Sequence, residues 1–183
     1  MIKVLFICHG NICRSPMGKY VLQDMVNKAG LAHKFEIDSA AVSREEIGNG
    51  VYPPARRELE KHGVKCGGHR ARQVTMDDYR HFDRIYYMDH SNARFLARLL
   101  PNDPQKIRPL LARDVADPWY TGDFSQTWED VLEGCQRILE ELQSFCPNVT
   151  INSTAADHPV GGCIVQVTFC GFGRFQLQTR YQR

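Results

Sequence analysis

Short apolar runs alternate with amphipathic stretches along the first three quarters of the chain. Ile2–Ile7 is almost all aliphatic or aromatic, which suits a central strand covered on both faces. Strand-like runs recur at Phe35–Val42, Arg84–Met88 and Lys106–Leu110. Between them the apolar spacing is helical. Pro16 reads as the first turn of a helix capped by Ser15 and continued by Met17, Tyr20, Val21 and Met25. Pro54–His62 predicts a helix ended by Gly63, and Ser91–Leu100 one closed by Pro101. Phe124–Phe145 predicts the longest, with Trp128, Val131, Cys135, Ile138 and Leu142 on one stripe. This alternation predicts an α/β protein with a parallel sheet covered on both sides. Such sheets bind ligands beyond the carboxyl ends of their strands, at a topological switch point. The segment CHGNICRS, Cys8–Ser15, lies at the carboxyl end of the first strand.

Composition narrows the class. The 183 residues, 43% hydrophobic and 24% charged, fit one globular domain of ordinary size. A net charge of +2 is too small to make nucleic acid or a membrane surface the main partner. No apolar run is long enough to span a bilayer and the N-terminus does not read as a signal peptide, so a cytosolic protein without membrane insertion is expected. Its seven cysteines then read as free thiols. The charge pattern breaks near Cys146. Residues 147–183 hold four charged side chains, and Arg174, Arg180 and Arg183 against Asp157 give the whole net charge. The expected organisation is a domain over 1–146 and an atypical C-terminal tail over 147–183, strand-like at Cys163–Phe169 and without a catalytic role.

The opening turn carries the chemistry. A strand running into a helix aims backbone N–H groups and the helix dipole at one point, which attracts anions. A thiol there is expected to fall from ~8.5 to roughly 3.5–7.5, making Cys8 a thiolate nucleophile. The spacing C-x5-R lets the Arg14 fork hold two oxygens of a tetrahedral oxyanion. Gly10 and Asn11 are residue types that accept a left-handed turn, and Ser15 can donate its hydroxyl to the thiolate. No Gly-Lys-Ser/Thr follows the glycine, which excludes a Walker loop. Cys8, His9 and Cys13 are close in sequence, but no second Cys/His pair at zinc spacing and no HExxH accompany them, so no metal is expected. Two thiols in one tight loop, Cys8 and Cys13, predict a disulfide on mild oxidation.

CHGNICRSPM, the Ser39-Ala-Ala segment, EIGN at Glu46–Asn49, HRARQVT at His69–Thr75, Met88-Asp89 and DPWYTGDF at Asp117–Phe124 together resemble the low-molecular-weight protein tyrosine phosphatases, collinearly to about Cys146. The resemblance implies a doubly wound, four-stranded parallel sheet with helices on both faces, a phosphate-binding loop at the end of the first strand, and no cofactor. It makes Cys8 the nucleophile, Arg14 the phosphate clamp and Asp117 the general acid. The loop is His9, Gly10, Asn11, Ile12, Cys13 and Ser15, with Asn11, Ser15 and His69 holding its shape and tuning the thiolate. Ile12, Glu45, Trp119 and Tyr120 would border the substrate. Phosphotyrosine proteins are the implied partners, with a tyrosine kinase as one candidate substrate.

The residues support the acid on their own terms. A tyrosine leaving group has a pKa near ~10, so its departure at pH 7 is helped by a donated proton. DVADPWY supplies a carboxyl beside aromatics that can flank a phenyl ring, although Trp119 and Tyr120 could equally serve packing alone. Two departures stand out. The segment between Leu110 and Asp117 is several residues shorter than the family usually has, but its six residues can span ~20 Å extended. Glu45 stands where many relatives place an aromatic wall, and a carboxylate there is expected to favour basic residues beside the phosphotyrosine. The rival reactions are an arsenate reductase, opposed by the lack of a cysteine around Ile85–His90, and a protein arginine phosphatase, whose members tend to carry threonine where this chain has Ile12.

Overall fold

The N-terminal apolar run forms strand β1 (Ile2–Cys8), with Val4–Ile7 fully buried, in the computed structural model of the chain, which describes residues 1–143. The tail 147–183, its run at Cys163–Phe169 and the expected boundary at Cys146 lie outside the described residues. Helix α1 (Arg14–Lys28) follows, then a 3-10 turn and β2 (Phe35–Ala41). Next come α2 (Pro53–Lys61), α3 (Met76–His81), β3 (Arg84–Tyr87), α4 (His90–Leu99) and β4 (Ile107–Pro109). A short helix α5 (Pro118–Thr121) and the long α6 (Phe124–Gln143) complete the described chain.

All four strands are parallel, in the order β2-β1-β3-β4. The chain winds outward from β1 to β2, then crosses back to β3, so the switch point falls between the carboxyl ends of β1 and β3. Alternate side chains of β1 feed two cores. Val4 and Phe6 join residues of α1, α2 and α6 on one face, and Leu5 and Ile7 join Leu96 and Leu100 on the other. The alternation predicts a parallel sheet covered on both faces, the resemblance implies four strands doubly wound, and the structure has both. Helix α6 sits close over β4: a Cβ at Gly134 would lie 2.4 Å from Leu110 Cγ, so only glycine fits that crossing. No helix among the described residues is long and apolar enough to cross a membrane.

One cap differs from expectation. Cys13, not Ser15, is the N-cap of α1 and makes no side-chain cap bond. Ser15 lies inside the first turn because its hydroxyl is engaged in the loop before the helix. The left-handed turn of that loop falls on Asn11 alone, at φ 60°, and Gly10 keeps an ordinary φ. Space at Gly10 is tight: a Cβ there would meet the Glu46 side chain, Cγ at 3.0 Å.

Candidate active site

Three strand ends converge at the switch point. β1 delivers Cys8, β3 is followed by Asp89, and β4 leads through seven residues to Asp117. That short segment reaches the loop. The Val115 N–H donates to the Met88 carbonyl at 2.8 Å, and the Ala116 N–H donates to Asp130 Oδ2 on α6 at 2.8 Å. Asp117 then caps α5 through Oδ1, which accepts the Trp119 N–H at 3.1 Å, and turns Oδ2 toward Arg14.

Arg14 is buried and held by two carboxylates. Nη1 donates to Asp89 Oδ2 and Nη2 to Asp117 Oδ2, each at 2.5 Å. Burial works against the guanidinium charge, but the charges of Cys8, Asp117 and Asp89 outweigh it and raise the Arg14 pKa above its ordinary value. Asp89 also caps α4, its Oδ1 accepting the Asn92 N–H at 2.6 Å. One carboxylate thus fixes a helix start and the arginine together.

Inside the loop, Asn11 is the hub, fully buried. Its Oδ1 accepts the Arg72 backbone N–H at 3.2 Å, and a backbone N–H can only donate, so the amide orientation is determined. Nδ2 therefore donates to Ser15 Oγ and Ser39 Oγ, both at 2.9 Å. With its acceptor side occupied, the Ser15 hydroxyl has its proton free for Cys8 Sγ at 3.0 Å, closer than the Ala40 carbonyl at 3.4 Å. The Asn11 N–H supplies a second donor to Sγ at 3.3 Å. Two donors thus converge on one sulfur at the start of α1. Arg72 itself is anchored by ion pairs to Asp38 at 2.8 Å and Asp78 at 2.9 Å.

His69 supports the same turn from outside. The Asn11 carbonyl can only accept, so Nε2 carries the proton of their 2.7 Å bond. Burial, the largest influence, lowers the His69 pKa below the usual imidazole value. The neutral ring's contribution to stability is therefore fully present above the unfolded imidazole pKa and is lost as pH falls through the depressed folded value. In an NMR titration the His69 ring should titrate below ~6.5. Urea melts should lose stability with acid across that interval, and a His69→Asn variant should lose this part of the slope. A ring titrating at or above the ordinary value would contradict this.

The remaining predicted residues divide. Ile12 and Cys13 pack with Ala71 under the loop, and burial, helped by the charges of Cys8 and Asp117, pushes the Cys13 thiol up to about 12. At the rim, His9 Nε2 meets Glu45 Oε2 at 3.0 Å and the His9 ring stands edge-on to Phe95. Trp119 and Tyr120 are 58% and 85% exposed, so neither is a core residue. Trp119 leans on Tyr52, ring centres 5.7 Å apart. Sequence reading gave no role to Asp89, Ser39, Arg72 or Tyr52. Only Asp89 carried a readable signal, an aspartate three residues before Asn92 at a strand-to-helix junction. Among the described residues, no group of three or more His, Cys, Asp or Glu side chains is placed to hold a metal ion.

Comparison with known proteins agrees with this geometry. A family model described as low molecular weight phosphotyrosine protein phosphatase matches residues 3–146. The low molecular weight protein-tyrosine-phosphatase YfkJ of Bacillus subtilis is 36% identical over 151 residues, covering 78% of this chain and 97% of that protein. Its crystal structure superposes with a TM-score of 0.76, covering 79% of this chain and 96% of YfkJ. The low molecular weight phosphotyrosine protein phosphatase of Gallus gallus is 41% identical over 152 residues, 75% of this chain and 94% of that one. The crystal structure of DARP, a Drosophila arginine phosphatase, is 31% identical with a TM-score of 0.69, covering 78% of this chain and 98% of that one. With a matching family model, relatives aligned over nearly their whole length and the shared parallel sheet, this chain belongs to the low molecular weight phosphotyrosine protein phosphatase family.

Proposed function

We propose that the chain hydrolyses phosphotyrosine in proteins through a cysteinyl-phosphate intermediate. The observation that carries the reading is Arg14, whose buried guanidinium joins the Asp117 carboxylate to the loop that holds Cys8. An arriving phosphate competes with Asp117 for Nη2. Once freed from the cation, the Asp117 carboxyl can carry the proton that the departing phenolate takes. Cys8 Sγ bonds to phosphorus as the P–O bond to the ring breaks. Asp117 then accepts a proton from the water that attacks phosphorus, and the S–P bond breaks to release phosphate and the thiolate. Trp119, exposed one residue beyond the capped helix start, offers its ring as a wall for the phenyl group. Asp89 holds Arg14 throughout, so the clamp stays aimed while its other carboxylate partner changes.

Likeness to an arginine phosphatase makes phosphoarginine the reading to test against. Matched peptides carrying phosphotyrosine or phosphoarginine should differ at least ~10-fold in kcat/KM in favour of phosphotyrosine, a difference of about 1.4 kcal/mol in transition-state binding. A preference for phosphoarginine would reverse the assignment. Cytosolic residence fits the unpaired thiols Cys8, Cys13, Cys66 and Cys135 among the described residues.

The same loop gives a redox expectation. Cys8, with two donors on its sulfur, is the thiol that peroxide oxidises first, while Cys13 remains protonated. Mild peroxide should therefore inactivate reversibly, the sulfenic acid at Cys8 losing water to the Cys13 thiol as the disulfide forms. Peptide mapping that finds Cys8 as sulfonic acid with Cys13 still free would contradict this.

A further inference from the structure

Beside the Trp119 wall lies a second hollow. A cavity of about 690 Å³ is bounded on one side by α2, through Arg57 and Lys61. The acid-bearing turn and the start of α6 bound the other side, through Trp119, Asp123 and Phe124, and Tyr52 joins the two walls. That volume is typical of a ligand site. Tyr52 packs its ring against both Trp119 at 5.7 Å and Phe124 at 6.1 Å between centres, so the aromatic surface is braced.

Charge in the hollow is unbalanced in one place. Asp123 Oδ1 accepts the Gln126 N–H at the start of α6. Lys61 Nζ donates to Glu58 at 3.3 Å, and Glu58 also meets His62 at 3.1 Å. Arg57 is exposed and, alone among the charged side chains lining the cavity, has no hydrogen-bond or ion-pair partner among the described residues. A free guanidinium in a cavity it shares with aromatic rings can receive a carboxylate. The hollow is also continuous with the catalytic turn, since Pro118 and Trp119 line it and directly follow Asp117. A polypeptide lying across Trp119 with its phosphotyrosine at Cys8 reaches Arg57 within a few extended residues of ~3.3 Å each.

We propose that this cavity is a subsite for the substrate chain, in which Arg57 pairs with an aspartate or glutamate a few residues from the phosphotyrosine while the intervening backbone rests on Trp119 and Tyr52. The inference rests on the phosphotyrosine reading above. It places an acid-selecting subsite on α2, whereas the Glu45 carboxylate lies at the rim beside His9. Substrates with an acidic residue on one side of the phosphotyrosine are therefore the preferred class.

A phosphotyrosine peptide in an alanine background, with a single glutamate moved through five positions on each side, tests this. Glutamate at one position on one side should raise kcat/KM about two- to five-fold over glutamine, the scale of a rim ion pair. The gain should shrink with added salt. Arg57→Ala should remove it, and Arg57→Glu should transfer the preference to lysine at the same position. Turnover of p-nitrophenyl phosphate should be equal in wild type and both variants, which also shows that they fold. A flat scan, or a glutamate preference that survives Arg57→Glu, would overturn the subsite. Turnover of p-nitrophenyl phosphate with none of any phosphotyrosine peptide would overturn the phosphotyrosine reading itself, and the subsite with it.

Discussion

A Cys8→Ser chain should fold, bind phosphate or vanadate, and turn over aryl phosphates no faster than background. The sulfur is the only atom lost. The Asn11 N–H, the Ser15 hydroxyl and the Arg14 guanidinium remain in place around it. What disappears is the nucleophile, because a serine hydroxyl at this point has no adjacent base to take its proton: the nearest side chain, Ser15, is oriented by Asn11 to donate. Loss of a covalent nucleophile lowers kcat on the order of 10⁴- to 10⁶-fold. Measurable turnover by the purified variant, with oxyanion binding intact, would remove Cys8 from the role. Loss of binding together with activity would instead mean that the sulfur holds the loop in shape.

Asp117→Asn should separate substrates by leaving group. An aryl phosphate whose phenol has a pKa near ~10 needs a proton as the bond breaks, and general acid catalysis is worth about 10²- to 10⁴-fold. A nitrophenyl phosphate departs as a stable anion and should lose far less. The structure adds a second signature. Asp117 is one of two carboxylates on Arg14, so asparagine removes a charged competitor for the phosphate site. Inorganic phosphate should therefore inhibit the variant more tightly than the wild type. Equal losses for both leaving groups would assign the acid to another residue.

The difference between what spacing revealed and what it hid is physical. β1 was legible because an unbroken apolar run has few alternatives to a buried central strand, and α6 because its stripe repeats over twenty residues. α3 and α5, six and four residues long, complete too few turns for a period to emerge. α3 is nevertheless announced by Thr75 and Asp78, whose side chains and backbones cap each other. Cys8, Arg14 and Ser15 were legible because the chemistry fits within one turn of chain. Asp89 and Asp117 meet Arg14 from 75 and 103 residues away, and no local pattern encodes such a meeting. The Ser15 cap failed for an instructive reason. Cap preference describes a helix start competing with water, whereas here a sulfur and an amide claim the hydroxyl first.

Helix α6 has a bearing on when activity begins. It approaches β4 closely enough to forbid a side chain at Gly134, and from there Asp130 takes the Ala116 N–H while the Thr127 hydroxyl donates to the Ala116 carbonyl. Both bonds fix the residue immediately before Asp117. Cys8 precedes Thr127 and Asp130 by more than a hundred residues, so a ribosome delivers the thiol well before these supports. On the roles proposed above, the nascent chain carries its thiol long before Asp117 is held beside Arg14, and the site is complete only when α6 docks.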